Sequence, residues 1–160
     1  MIMLNVTLIC VGKSNEKYYT EAVDEYAKRL AAFCRFELRE VPETRLSQNP
    51  SQGEIAAALN AEYRRMKIPD RAFLCALCVE GKSLSSEAFA RQLENLAVSG
   101  TSQLCFVIGG SFGLAEAVKQ RADLKLSMGP MTFPHALARV MFTEQLYRAF
   151  SINAGSKYHK

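Results

Sequence analysis

Three glycines close one short segment of the chain and could let a ligand approach the backbone. Residues 106–113 read FVIGGSFG, so an apolar run is followed at once by Gly109, Gly110 and, after two residues, Gly113. Glycine adopts positive φ readily and presents its amide without a side chain to obstruct it. The spacing is neither the G-x-G-x-x-G dinucleotide motif nor a G-K-[ST] phosphate motif. By itself, this segment is compatible with a ligand-binding loop and with an ordinary strand-to-helix turn.

A second unusual segment lies between residues 127 and 135, with the sequence SMGPMTFPH. It combines a Gly-Pro turn with two methionines, and Pro134 suits the first turn of a following helix. Flexible methionines commonly fill gaps in a core, but they also give apolar surface to a ligand. The pattern alone favours a stiff connector, and His135 has no assigned role.

The C-terminal end of the chain is basic and aromatic. Arg139 and Arg148 precede a tail that ends in Lys157, Tyr158, His159 and Lys160. Cationic side chains neutralise phosphates and aromatic side chains stack on exposed bases, as proteins do when they hold looped RNA. A frayed terminus is the alternative interpretation.

Hydrophobic periodicity predicts the elements that position these segments. Strands are expected over residues 4–11, 36–41, 72–79, 103–108 and 124–127, and helices over 16–32, 54–66, 85–98, 114–120 and 136–150. A Ser-x-x-Glu cap at about residues 83–86 should open the third helix. The order predicts an α/β fold with an open, mostly parallel sheet covered by helices. Ligands bind beyond the carboxyl ends of such strands, so the candidate loops are residues 79–82, 109–113 and 128–133.

Composition is consistent with one compact domain over residues 1–160. The chain has 160 residues, of which 49% are hydrophobic, and a net charge of +4, which is compatible with an anionic partner but too small to establish one. No apolar run approaches the roughly 20 residues of a membrane span, and no leader pattern opens the chain. We therefore expect a cytoplasmic protein without a membrane partner.

The cysteines predict buried, reduced thiols. There are five, an odd number, and most lie in apolar runs. Cys75 and Cys78 form a C-x-x-C pattern, but on a strand their side chains point to opposite faces of the sheet. The chain contains only two histidines, so the further ligands of a zinc site are scarce. We predict no metal.

In combination, these motifs resemble the RlmH family, the ribosomal RNA large subunit methyltransferases H of the SPOUT class. The similarity rests on VGK at residues 11–13, FVIGGSFG at 106–113, MTFPHALARV at 131–140, EQLYRAF at 144–150 and the terminal YHK. It extends from end to end of the chain.

The resemblance implies a C-terminal trefoil knot from Ala72 to the last helix, a homodimer formed through the knot helices, and S-adenosylmethionine bound in the knot. Such knots are rare exceptions to unthreaded chain connections. Carried over by position, the cofactor contacts are Leu77, Gly109, Met128, Gly129, Pro130, Met131, Thr132 and Phe133. These positions agree with the independent argument from strand ends.

The resemblance also implies methylation of N3 of a pseudouridine in 23S rRNA, within the assembled ribosome. The N3 proton must leave, so a base or an environment that stabilises the anion is required. Tyr158 and His159 would lie near the target nucleotide, with Arg139 and Arg148 supplying positive charge. We further hypothesise that the tail of one subunit completes the partner's site. The alternatives are a non-catalytic RNA-binding module and an unrelated nucleotide-binding α/β protein.

Overall fold

The computed structural model describes residues 3–160, in which five strands and five helices alternate along the chain. They are β1 (Asn5–Val11), α1 (Lys17–Leu30), β2 (Arg35–Val41), α2 (Gln52–Met66), β3 (Phe73–Ser83), α3 (Ser86–Val98), β4 (Gln103–Ile108), α4 (Glu116–Arg121), β5 (Leu124–Ser127) and α5 (His135–Asn153). The predicted order is confirmed. Most predicted bounds differ from these by one to three residues, as frayed helix ends do.

The strands form one sheet in the order β2-β1-β4-β3-β5. Within residues 3–160, every pair of neighbouring strands is parallel. β1 and β4 are inner strands, with Leu8 opposite both Leu38 and Phe106. Their side chains are almost all buried, because a parallel sheet is covered on both faces. The predicted parallel α/β sheet is therefore confirmed.

Helices cover both faces of the sheet. On one face, Leu30 of α1, Phe89 of α3 and Phe142 of α5 belong to a buried cluster with the strands. On the other face, Met66 of α2 and Val118 of α4 pack in a second cluster. The two clusters confirm the predicted arrangement, with helices on both faces of the sheet.

Two predicted helix starts need correction. The N-cap of α3 is Ser85, which lies within the predicted residues 83–86, but its hydroxyl accepts a hydrogen bond from the amide of Ala88, so no Glu stands at the third position of the predicted Ser-x-x-Glu pattern. Pro134 occupies the N-cap position of α5 rather than its first turn, with φ −54° and ψ 138°. Its extended ψ turns the chain away from the helix axis just before His135.

The predicted loop at residues 79–82 is wrong, because these residues belong to β3. The pairing of β3 with β5 shifts register between Leu77 and Lys82, so the strand bends and continues to Ser83. Gly81 permits this bend. A Cβ at this position would lie only 2.7 Å from the backbone N and C of Leu126.

All five cysteines are free thiols, and only Cys78 is not fully buried. Burial raises the pKa of the Cys10 and Cys34 thiols to about 12, which keeps them protonated. Among residues 3–160, no helix has the length and apolarity to cross a membrane, and no three potential ligand side chains gather as at a metal site.

Candidate cofactor cleft and C-terminal cluster

A cleft of about 520 Å³ opens at the carboxyl ends of β3, β4 and β5. We call it the glycine-loop cleft. Its walls come from the bent end of β3, the loop after β4, the loop after β5 and the start of α5. The lining residues are Leu77, Cys78, Val79, Glu80, Ile108, Gly109, Gly110, Ser111, Gly113, Leu114, Lys119, Leu126, Met128, Gly129, Met131, Thr132, Phe133, Pro134, His135 and Ala138. A volume of this size is typical of small-molecule sites.

The glycine loop has a fixed shape. Gly110 and Gly113 form an isolated antiparallel bridge, in which the Gly113 amide donates to the Gly110 carbonyl at 3.1 Å. The Ser111 amide donates to the Glu43 carboxylate at 2.8 Å. A Cβ on Gly109 would lie 2.4 Å from the Gly113 carbonyl oxygen, so only glycine fits there. The loop therefore presents a preformed backbone surface to the cleft.

Seven of the eight sequence-predicted cofactor residues line this cleft. They are Leu77, Gly109, Met128, Gly129, Met131, Thr132 and Phe133. Pro130 is exposed and is not part of the lining. Gly129 has φ +114°, and its amide donates to the Ser127 hydroxyl, which fixes the turn after β5. Residues far apart in the sequence thus come together in one cavity.

Sequence reasoning gave no site role to several further lining residues, among them Glu80, Lys119, His135 and Ala138. Glu80 and Lys119 form an ion pair at 2.6 Å. The hydrogen bond from Lys119 lowers the pKa of Glu80, and the same contact raises the pKa of Lys119. The strand-end rule included Glu80 in the candidate segment 79–82, although it gave this residue no role. Lys119 has no comparable sequence signal.

The rim of the cleft exposes large apolar side chains. Val79 is 60% exposed, Phe112 48% and Met131 72%. Val79 and Met131 line the cleft, and Phe112 lies between two lining residues, Ser111 and Gly113. An exposed apolar group of this kind typically marks a binding surface.

The C-terminal tail folds back on α5 and α3. Arg148 donates to Glu144 at 2.7 Å and lies 3.0 Å from Nδ1 of His159. Arg148 carries only N–H donors, so Nδ1 accepts and Nε2–H of His159 donates to Glu87 at 2.7 Å. Tyr158 donates its phenol to Glu144, also at 2.7 Å. We call these five residues the tail cluster.

Burial and the bond to Glu144 raise the pKa of Tyr158 well above its usual value, so the phenol keeps its proton at neutral pH. Burial by itself would raise the pKa of Glu144. Hydrogen bonds from Arg148 and Tyr158 outweigh this effect and lower it. The Glu144 carboxylate therefore stays ionised at neutral pH and accepts the hydrogen bonds that hold Arg148 and Tyr158 together.

Arg139 does not join the other predicted catalytic residues. Its side chain is only 1% exposed, and its guanidinium donates to Glu40 at 2.7 Å and to the Gly12 carbonyl at 2.8 Å. Its charge is thus paired inside the protein. The contacts tie α5 to the loop that follows β1.

A second cavity, of about 630 Å³, separates the glycine-loop cleft from the tail cluster. It shares Leu126, Met128 and Gly129 with the cleft, and it reaches Glu144 of the tail cluster. Phe89 and Phe142 form part of its floor. The two groups of predicted residues therefore lie on opposite sides of this cavity and do not touch.

Comparison with known proteins identifies the family. The profile described as predicted SPOUT methyltransferase matches residues 4–159. The chain belongs to the SPOUT methyltransferase family. Its similarity to individual members is also high. It is 48% identical over 159 residues to a protein of Levilactobacillus brevis and 46% identical to one of Streptococcus mutans, covering 98% of this chain and 100% of each relative. Both are named ribosomal RNA large subunit methyltransferase H.

Solved structures agree on the SPOUT-type fold. A probable methylase family protein from Haemophilus influenzae superimposes with a TM-score of 0.53 at 14% identity, covering 100% of this chain and 72% of that one. A probable methyltransferase from Bordetella pertussis gives the same TM-score at 16% identity, covering 92% and 96%. At such identities the likeness concerns the fold alone.

Proposed function

We propose that this SPOUT methyltransferase methylates N3 of a pseudouridine in 23S rRNA of the assembled ribosome, in the cytoplasm, with S-adenosylmethionine as methyl donor. The observation that carries the proposal is the glycine-loop cleft, which gathers seven predicted cofactor residues from three strand ends. The names of relatives at 44–48% identity support the large-subunit rRNA substrate.

The cleft suits the parts of this cofactor. Leu77, Met131 and Phe133 offer apolar surface to an adenine ring, and the loop at Gly109 offers backbone groups without side chains. Glu80 supplies a carboxylate for a cationic or hydroxyl-bearing part of the ligand. When bound, S-adenosylmethionine supplies a methyl group already activated by its sulfonium. The protein then needs mainly to hold and orient the target base.

Removal of the N3 proton falls to the tail cluster in this proposal. Tyr158 keeps its proton and donates a hydrogen bond to Glu144, so its ring is held in place to position the nucleotide by stacking. His159 has a lone pair on Nδ1, which can accept the N3 proton once Arg148 turns towards the RNA. Arg148 stabilises the base as negative charge develops on it. Arg139 is a positioning residue that acts through the Gly12 loop.

We propose that the active protein is a homodimer with the C-terminal trefoil knot of its family. The exposed rim of Val79, Phe112 and Met131 is apolar surface that a partner would cover. The tail cluster and the cleft do not touch within one protomer. A tail that reaches the partner's cleft would bring them together, so that each site would contain residues from both subunits.

Cofactor binding tests the first part of the proposal. Calorimetric titration with S-adenosylmethionine should show one site per chain. Ala138→Phe should abolish binding, because the ring fills the cleft floor. Ala97→Phe adds the same bulk at an exposed position of α3 and should bind as the parent does. A folded parent that binds no cofactor would favour the non-catalytic RNA-binding module.

Methyl transfer to ribosomes that lack the modification tests the substrate, with the product nucleoside identified by mass spectrometry. His159→Gln should lower kcat and leave cofactor affinity unchanged. Methylation at another position would overturn the proposed specificity.

Subunit mixing tests the composite site. A chain truncated after Ala154 lacks the tail, and Ala138→Phe lacks the cleft, so each should be inactive alone. Mixed dimers should regain activity, because one of their two sites is intact. Activity of the truncated chain alone would exclude the composite site.

A further inference from the structure

A third groove, of about 680 Å³, lies at the carboxyl ends of β1 and β2, beside the glycine-loop cleft. We call it the tyrosine groove. Residues after β1, residues after β2 and the first turns of α1 and α5 line it. We propose that it binds a single-stranded RNA segment adjacent to the methylated nucleotide. This inference rests on the proposed function and names a surface for its substrate.

The free cations of the groove favour a phosphate backbone. Lys13 and Arg45 are exposed, come from two different loops, and have no ion-pair partner within residues 3–160. Two acids also line the groove. Glu43 accepts a hydrogen bond from the Ser111 amide, which directs one of its oxygens to the glycine loop, but it keeps its charge, so Glu16 and Glu43 both oppose an anionic ligand that Lys13 and Arg45 attract. Each Lys or Arg contact with a phosphate releases counterions and makes binding salt-dependent.

The aromatic pair favours a nucleic acid, which carries bases, over other anionic ligands. Tyr18 is 64% exposed, although exposure of so large a ring gains nothing in folding. It is held edge-on against Tyr19, with ring centroids 4.5 Å apart and an interplanar angle of 60°. Tyr19 therefore holds the Tyr18 ring in position, and the Tyr18 ring remains open to solvent. Every base has a π-face, so such a platform accepts single-stranded RNA with little sequence preference.

The tyrosine groove is continuous with the glycine-loop cleft. Pro134 and His135 line both cavities. Glu43 lines the groove and also anchors the glycine loop through Ser111. A strand whose target base enters the cleft can therefore pass His135 and place the next nucleotides on Tyr18, Lys13 and Arg45. An acidic peptide would contact only the cations, and a hydrophobic peptide only the rings, whereas RNA contacts both.

Fluorescence anisotropy with a labelled single-stranded RNA oligonucleotide, without cofactor, tests the inference directly. Tyr18→Ala should weaken binding about tenfold, the loss expected when one stacked base is released. Tyr18→Phe should bind as the parent does. Lys13→Ala and Arg45→Ala should each weaken binding and lower the slope of log affinity against log salt by roughly one phosphate contact. Glu16→Gln should tighten binding, because it removes a like charge.

Arg71→Ala is the matched control, since Arg71 is exposed and lies just before the amino end of β3, whereas the tyrosine groove lies at the carboxyl ends of β1 and β2. It should leave RNA affinity unchanged. Equal affinities for the parent, Tyr18→Ala and Lys13→Ala, or no binding by the parent, would overturn the proposed groove. Displacement of RNA by polyglutamate with no effect of Tyr18→Ala would show a simple anion patch instead. Cofactor calorimetry on the same samples separates these outcomes from failure of the methyltransferase proposal.

Discussion

Replacement of Gly109 by alanine is the sharpest perturbation of the candidate cofactor site. The added Cβ would lie 2.4 Å from the Gly113 carbonyl oxygen, whereas ordinary contacts begin at 3.4 Å. The glycine loop must therefore move by about 1 Å, the difference between these distances. A misplacement of this size can cost about a hundredfold in rate at a catalytic site. We expect S-adenosylmethionine affinity to fall at least about tenfold, or 1.4 kcal/mol.

The stability of the global fold should be affected less than cofactor binding, because Gly113 is exposed and the glycine loop can shift without disturbing the core. A cost of about 1–3 kcal/mol would lower Tm by several degrees and leave the variant folded at 25 °C. Calorimetric titration with the cofactor and thermal denaturation should be run on the same sample. Gly53→Ala is the control. Its Cβ would meet nothing closer than 3.9 Å, and a helical Gly→Ala change stabilises by up to about 1 kcal/mol. Cofactor affinity of Gly109→Ala within twofold of the parent would refute a rigid glycine loop as the binding surface.

Three further outcomes are expected. Gly81→Ala should destabilise by roughly 1–3 kcal/mol, because its Cβ meets the Leu126 backbone at 2.7 Å, and a Tm within about 1 °C of the parent would contradict this. In the native protein a thiol reagent should label Cys78 before the four buried cysteines, and S-adenosylmethionine should slow that labelling if it fills the cleft; mass spectrometry of the labelled peptides checks both. The lowered pKa of Glu144 means that its support of the tail is present above pH 4.5 and is lost as pH falls through the folded-state pKa. The protection factor of the Tyr158 amide, which corrects its hydrogen-exchange rate for the intrinsic effect of pH, should therefore fall on acidification, and Glu144→Gln should remove this pH dependence.

Much of the fold could be predicted because the inner strands are continuous apolar runs. Residues 103–108 and 124–127 were predicted with the bounds that the structure has. The bend in β3 was missed, since Glu80, Gly81 and Lys82 have the composition of a turn. What keeps them in the strand is the close approach of the β5 backbone to Gly81, a tertiary contact with no local signal.

The site was only partly predictable for the same reason. Strand-end reasoning gave the loops of the glycine-loop cleft, and family resemblance selected residues within them. Neither could show that Arg139 is buried against Glu40, 99 positions away in the sequence, or that Lys119 pairs with Glu80 inside the cleft. The tyrosine groove was also missed, because its residues come from three separate parts of the chain.

The position of β1 in the sheet has a consequence for synthesis of the protein. This inner strand ends at Val11, yet one of its two partners, β4, ends at Ile108, 97 residues later. The ribosome adds about 5–20 residues per second, so roughly 5–20 seconds pass between the synthesis of β1 and the synthesis of that partner. During this interval its apolar edge is open on the nascent chain. A chaperone that holds emerging chains should therefore raise the yield of soluble protein more than one that acts after release.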